Sequence, residues 1–252
     1  MSDKLKITLL QMDIVWGNSE ANAKAAEEAI SANGGSDVYV LPEMWSTGFA
    51  TEPKGIAEAD CRSLEWMKGM ASKTGAAIAG SVATEIAEGD YRNRFYFVKP
   101  DGEVTFYDKH HLFTYGGEQH QYTAGNERTV VEYKGVRFML RVCYDLRFPL
   151  WNRNNEEYDC ALFVASWPTP RVEAWRTLLR ARAIENQCYV VGVNRVGTDP
   201  ACQYCGGTVF IDPYGQTVEE CERGMVQAIT CEIDMDALEA FRAKFPVLKD
   251  RD

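Results

Sequence analysis

Val136-Arg-Phe-Met-Leu-Arg-Val-Cys-Tyr-Asp-Leu-Arg-Phe-Pro149 is an apolar run that stops at Cys143 and turns at once into a polar segment closed by proline. An inward-facing strand that ends on a cysteine and then turns presents a thiol at the rim of a sheet. Two other runs behave alike: Val38-Tyr-Val-Leu-Pro-Glu43 and Val104-Thr-Phe-Tyr-Asp-Lys109 each deliver one ionisable residue at their end. A carboxylate, an ammonium and a thiol from three strand ends are the parts of a thiol hydrolase that does not depend on histidine.

Further strand-like runs are Leu5–Leu10, Val38–Leu41, Ala76–Val82, Phe95–Val98, Val104–Tyr107, Val136–Val142, Ala161–Ala165, Tyr189–Val193, Thr208–Ile211 and Val226–Ile233. Helical patterns lie between them. Ser19–Ile30 has Asn18 as N-cap and Asn33-Gly-Gly35 as its stop, and Asp60–Thr74 ends at Gly75. Arg171–Gln187 follows Pro170 and puts Val172, Trp175, Leu178, Leu179 and Ile184 near one face. Strands alternate with helices in the outer parts, whereas 76–107 and 189–233 read as consecutive strands. This mixture predicts two sheets face to face with helices outside, an α+β four-layer sandwich, formed by residues 1–252 as one domain. No glycine-rich fingerprint follows the first strand, which argues against a dinucleotide-binding sheet.

The 252 residues are ordinary globular material, with 46% hydrophobic and 25% charged side chains. A net charge of −10 without a basic stripe argues against nucleic acid as a partner. No stretch approaches the ~18 apolar residues of a membrane span, and Gln11 and Asp13 interrupt the N-terminal run before it could serve as a signal-peptide core. Eight cysteines without a secretion signal read as free thiols in a cytoplasmic protein rather than a disulfide framework.

A thiol is only slightly ionised at neutral pH and needs a base or a cationic neighbour to act as nucleophile. Glu43 can take the proton of Cys143 and return it to a leaving amine, while Lys109 and the N–H of Tyr144 can hold a tetrahedral oxyanion. Singly, each residue has a plainer reading: a buried strand cysteine, a capping carboxylate, a surface lysine. Cys160 and Cys188 are assigned to the buried-cysteine reading. A Cys–His arrangement is the weaker alternative, because His110, His111 and His120 all cluster beside Lys109. Cys202-Gln-Tyr-Cys205 is a lone CxxC without a second pair, so no metal is expected, and a thiol-redox module or a non-catalytic interaction module is the rival of another class.

Leu-Pro-Glu43-Met, Asp-Lys109-His-His-Leu-Phe, Val-Cys143-Tyr-Asp-Leu-Arg-Phe and Arg182-Ala-Ile-Glu-Asn-Gln187 occur in order, and with them the chain resembles the nitrilase (carbon–nitrogen hydrolase) superfamily from about Leu5 to Pro246. The resemblance implies an α-β-β-α sandwich, a homodimer joined through the helical layer, and a Glu-Lys-Cys triad at Glu43, Lys109 and Cys143. It also implies a second glutamate before an Ala-Gly turn, matched by Glu118 seven residues ahead of Gly125, holding Lys109 and the substrate amide in register. Within the superfamily, Ala-Ser-Trp167-Pro-Thr-Pro-Arg171 and Gly-Gly-Glu118-Gln-His-Gln-Tyr122 are most similar to the bacterial omega-amidases. That implies a small ω-amido acid as substrate, such as 2-oxoglutaramate or succinamate, with a thioester acyl-enzyme and no cofactor. N-carbamoyl amine hydrolysis and nitrile hydrolysis are the alternatives within the family. The distal carboxylate of such a substrate calls for a cation, Arg171 first and Arg147 second, with Trp167 and Phe113 as apolar walls.

Overall fold

The computed structural model describes residues 4–250, and every strand-like run named above becomes a strand. In chain order these are β1 (Leu5–Gln11), β2 (Val38–Val40), β3 (Ala77–Ala87), β4 (Asp90–Val98), β5 (Val104–Asp108), β6 (Val130–Tyr133), β7 (Val136–Val142), β8 (Cys160–Ala165), β9 (Tyr189–Asn194), β10 (Val196–Thr198), β11 (Gln203–Cys205), β12 (Val209–Ile211), β13 (Thr217–Glu220) and β14 (Gln227–Ile233). The sequence pattern did not mark β6, β10, β11 or β13. All are short and half polar, and none carries a fully buried run. The hairpin joining β6 to β7 turns through Lys134 and Gly135, both at positive φ (48° and 76°), a two-residue turn whose usual Asn-Gly signature is hidden by the lysine.

Two six-stranded sheets result, ordered β14-β1-β2-β3-β4-β5 and β13-β12-β9-β8-β7-β6, with β10 and β11 as a separate ribbon. Read from β14 and from β6, both sheets repeat one pattern of antiparallel, parallel, parallel, antiparallel and antiparallel neighbours. The sheets therefore share a topology although the sequence shows no repeat. The central strands are buried on both faces, and so read as continuous apolar runs rather than alternating ones.

Alternate side chains of each strand feed different layers. Ile7, Leu9, Val40, Phe95 and Phe97 of one sheet meet Phe138, Leu140, Leu162, Val164 and Val191 of the other in a shared core. The outer face of the first sheet packs on α1 (Ser19–Ala32) and α2 (Arg62–Thr74), and that of the second on α3 (Val172–Asn186). This is the four-layer α-β-β-α sandwich expected.

Asn18 caps α1 by accepting the Ala21 N–H at 3.0 Å. The second helix starts at Arg62 rather than Asp60, because the buried Glu58 carboxylate, not a local cap, takes the Ser63 N–H (2.8 Å) and hydroxyl (2.6 Å). In α3 the buried stripe runs through Trp175, Leu179 and Ala183, so Ile184 turns outward and is 52% exposed, correcting its assignment to the inner face. A fourth helix, α4 (Met235–Lys244), is capped by Asp234. No helix among the described residues is long and apolar enough to cross a membrane.

Asp159, at the start of β8, binds α4 to the second sheet. Its buried carboxylate accepts from Arg137 Nε and Nη2 (2.9 and 2.7 Å) and from Arg242 Nη1 (2.7 Å). Burial pushes this carboxyl up, but the hydrogen bonds from the two guanidiniums prevail and hold it below the usual carboxylate range. A depressed folded-state pKa stabilises the protein above the unfolded value and is lost as pH falls through the folded one. Asp159→Asn is thus expected to lower stability by roughly 2 kcal/mol at pH 7, and urea melts should show that gap narrowing below about pH 4. A gap unchanged into acid would count against the assignment.

Candidate active site

Cys143 follows β7 directly and begins a short 3₁₀ turn, Cys143–Arg147, with φ of 45°, a left-handed conformation rare for a residue with a side chain. The turn is held by Asp145, whose Oδ2 accepts the Val142 N–H (3.1 Å) and the Tyr107 hydroxyl (2.7 Å). Its Oδ1 accepts the His111 N–H and lies 2.9 Å from His111 Nδ1. One buried carboxylate therefore ties the cysteine turn to the segment that carries Lys109. Gly125 completes that segment: a Cβ there would lie 2.2 Å from the Asp108 carbonyl, and its N–H donates to Lys109 O at 3.0 Å.

Lys109 Nζ donates to Glu43 Oε1 at 3.0 Å and to Glu118 Oε1 and Oε2 at 3.2 and 2.9 Å, with all three side chains fully buried. Glu43 Oε2 accepts the N–H of Ser166 at 2.8 Å, and Glu118 Oε2 accepts that of Phe113 at 2.6 Å. Ser166 stands just after β8 and Glu43 just after β2, which are equivalent strands of the two sheets. The shared topology thus joins its two halves at this point.

The Cys143 thiol lies within the field of Glu43 and Lys109. Burial and the negative Glu43 push the thiol well up from its ordinary range against the opposing pull of Lys109. Burial alone would lower Lys109, but Glu118 and Glu43 outweigh it and hold the ammonium charged. Glu118 is raised by burial and by Glu43, with Lys109 opposing. The surroundings of Cys143 therefore oppose a resting thiolate more strongly than Lys109 favours one.

Above the thiol opens a cavity of about 640 Å³. Phe113, Trp167, Arg147 and Arg171 all line it. The Arg147 guanidinium lies 4.9 Å from the Trp167 ring, and that of Arg171 5.4 Å from Phe113 and 5.9 Å from Tyr115. Neither has an ion-pair partner among the described residues. The ring of Tyr144 packs edge-on to Phe113 at 5.2 Å, and its N–H belongs to the first turn after Cys143, where helical amides lack an internal acceptor.

Glu43, Lys109 and Glu118, read from the sequence, thus meet in one buried cluster beside Cys143, which itself lines the cavity. Asn93, Ser166 and Asp145 were not singled out. Asn93 sits mid-strand in β4, Ser166 inside the Ala-Ser-Trp167 stretch, and Asp145 two positions past the cysteine. None carries a local signal: Asn93 is flanked by Arg92 and Arg94, and Asp145 and Ser166 lie past the ends of their strands. The histidines are engaged elsewhere: His111 with Asp145 and stacked on Phe148 at 3.6 Å, His110 stacked on Trp151 at 3.7 Å. Cys202 lines the cavity whereas Cys205 packs toward α3, and both are free thiols.

The carbon-nitrogen hydrolase family model matches residues 6–243. The chain is 46% identical over 249 residues to omega-amidase YafV of Escherichia coli K12, covering 98% of this chain and 97% of the relative. It is 39% identical over 256 residues to 2-oxoglutaramate amidase of Bacillus subtilis, covering 98% and 97%. A CN-hydrolase superfamily protein from Xanthomonas campestris, whose crystal structure carries an arsenic adduct in the active site, superposes with a TM-score of 0.95 at 42% identity over 99% and 98% of the two chains.

The raised thiol has a direct optical test. The thiolate absorbance near the far-ultraviolet edge, taken as the difference between the protein and Cys143→Ser, is expected to be nil at neutral pH and to emerge only above the ordinary thiol range of about 8.5. A constant thiolate signal at neutral pH would mean a preformed ion pair instead.

Proposed function

The chain belongs to the carbon–nitrogen hydrolase family, and from that premise we propose that it is an omega-amidase, hydrolysing the terminal amide of a 2-oxoglutaramate-like acid to the dicarboxylate and ammonia. The observation that carries this reading is the buried Glu43–Lys109–Glu118 cluster beside Cys143, next to a cavity lined by two arginines that have no ion-pair partner among the described residues.

Glu43 removes the Cys143 proton as sulfur attacks the amide carbonyl. Because burial and Glu43 both disfavour the thiolate, proton transfer and attack belong to one step, and the neighbouring Glu43 carboxylate is the base for it. Lys109 Nζ and the Tyr144 N–H take the charge that develops on the carbonyl oxygen. Glu43 passes its proton to the amide nitrogen, the C–N bond breaks, ammonia leaves and a thioester remains. Water then gives a proton to Glu43 and attacks the thioester; the C–S bond breaks and the sulfur recovers its proton from Glu43. Glu118 keeps Lys109 charged and in place throughout.

Arg171 and Arg147 serve the far carboxylate. Each guanidinium lies over an aromatic ring of the cavity, Arg147 over Trp167 and Arg171 over Phe113, an arrangement that leaves the N–H edges for a carboxylate. We further propose a homodimer through the outer helical face, where Ile184, Tyr214 and Phe245 are 52%, 59% and 60% exposed. Eight free thiols support a reducing compartment, the cytoplasm, as its place of work.

Cys143→Ala is expected to abolish ammonia release from 2-oxoglutaramate and succinamate with the fold intact by circular dichroism; residual turnover near the native rate would sink the nucleophile assignment. A stronger preference for a carbamoylated amine or a nitrile in the same assay would overturn the substrate class while leaving the triad standing. Arg171→Gln should raise KM for 2-oxoglutaramate by roughly tenfold or more, the value of one charge-assisted contact, with kcat much less affected.

A further inference from the structure

Asn93 touches more of the proposed catalytic cluster than any role in the sandwich requires. Its Nδ2 donates to Glu43 Oε1 at 2.8 Å and to Glu118 Oε1 at 3.2 Å, and its main-chain carbonyl accepts the main-chain N–H of Lys109 at 2.9 Å. Strand alternation explains how it gets there. In β4, Arg92 and Arg94 point away, to Asp90 and Asp108, while Asn93 shares its face with Phe95 and Phe97 of the inter-sheet core. It is the polar step at the end of an apolar file, and only 1% exposed.

The other half of the amide is unusual. Asn93 Oδ1 is buried and has no hydrogen-bond partner among the described residues. A buried acceptor without a donor is normally selected against. Turning the amide over would put that oxygen against two carboxylate oxygens at 2.8 and 3.2 Å, so the two glutamates dictate its orientation. The fold keeps an unpaired oxygen in order to aim two N–H donors at two carboxylates.

Charge arithmetic says why those donors are needed. Glu43 and Glu118 both face a single cation, Lys109 Nζ, which leaves an excess of one negative charge in a site shut from water. The other groups facing it are the Cys143 thiol and the Tyr122 phenol, both neutral at ordinary pH, and the Ser166 and Phe113 amides, each of which serves one oxygen. Apart from Lys109 Nζ, Asn93 Nδ2 is the one donor among the described residues that is shared between the two acids.

Building on the proposed hydrolase mechanism, we propose that Asn93 is a positioning residue that holds Glu43 and Glu118 ionised and apart, so that Glu43 is free to accept the Cys143 proton. Without its amide the two carboxylates share one ammonium and one of them retains a proton in the working range, which takes away the base. Asn93 does not touch the reacting atoms; it acts through the glutamates.

The test uses the full-length protein and Asn93→Ala, with Asn93→Ser as the second variant should the alanine form fail to fold. Two readouts are taken. The first is the pH profile of kcat and KM with 2-oxoglutaramate. The second is infrared difference titration of the substrate-free protein, with the carboxyl band assigned by Glu43→Gln and Glu118→Gln. The expected result is a kcat lowered roughly tenfold or more with KM within about threefold, and an acid limb moved up by at least about half a pH unit. The infrared midpoint for carboxyl protonation should rise in step. A lowered kcat with limb and midpoint unmoved would make Asn93 merely structural and overturn the proposal, as would activity within about threefold of native. Because the infrared reading needs no substrate, a native protein inactive on ω-amides whose variant still shows the raised midpoint would overturn the substrate reading and leave the Asn93 proposal standing.

Discussion

One ammonium buried between two carboxylates is the constraint on which the rest of this site depends. Lys109, Glu43 and Glu118 have no solvent to share their charge, so each carboxylate oxygen must find a donor within the protein. Lys109 supplies three contacts, and the Ser166 N–H, the Phe113 N–H and the Asn93 amide supply the others. These donors come from β4, from the segment after β5 and from the end of β8. A cluster assembled from so many strand ends holds its shape only as long as both sheets do.

The shared topology of the sheets makes that possible. Parallel central strands β2 and β8 end on the same edge of the sandwich, and there Glu43 and Ser166 meet, the serine N–H on one carboxylate oxygen and its hydroxyl 3.3 Å from the Glu43 carbonyl. Asp145 forms the second tie, between the cysteine turn and the lysine segment. A left-handed Cys143 is tolerated because Asp145 accepts the preceding N–H, and the strained turn in return exposes the thiol to the cavity. Burial sets the chemistry as well: a thiol raised by burial and by Glu43 has no use for a resting thiolate, and so needs the carboxylate at the moment of attack.

Much of the fold was legible along the chain because strands buried on both faces leave long apolar runs, and all of the longer ones were readable. What escaped were edge elements, β6 and β13, and the ribbon β10–β11, where half the residues meet solvent and no period survives. The start of α2 was misread by two residues because its cap, Glu58, lies outside the helix, and Ile184 was misread because a turn of helix separates neighbours by about 100°. For the site, Glu43, Lys109 and Cys143 announced themselves as ionisable groups closing apolar runs. Glu118 had only a loop around it, and its place came from family resemblance. Asn93 and Asp145 had no such mark, since their importance lies in partners 25 to 50 and 34 residues away.

By itself, then, the sequence determined which strands are buried, where three of them end, and which ionisable side chain stands at each end, because burial and chain direction are local properties of composition. Only the tertiary structure decided that the ends converge, that burial and Glu43 together push the thiol up, that one amide serves two carboxylates, and that two arginines line the cavity with no ion-pair partner among the described residues. Those are matters of distance and shared burial between segments far apart in the chain, and electrostatic energy depends on separation in space, not in sequence.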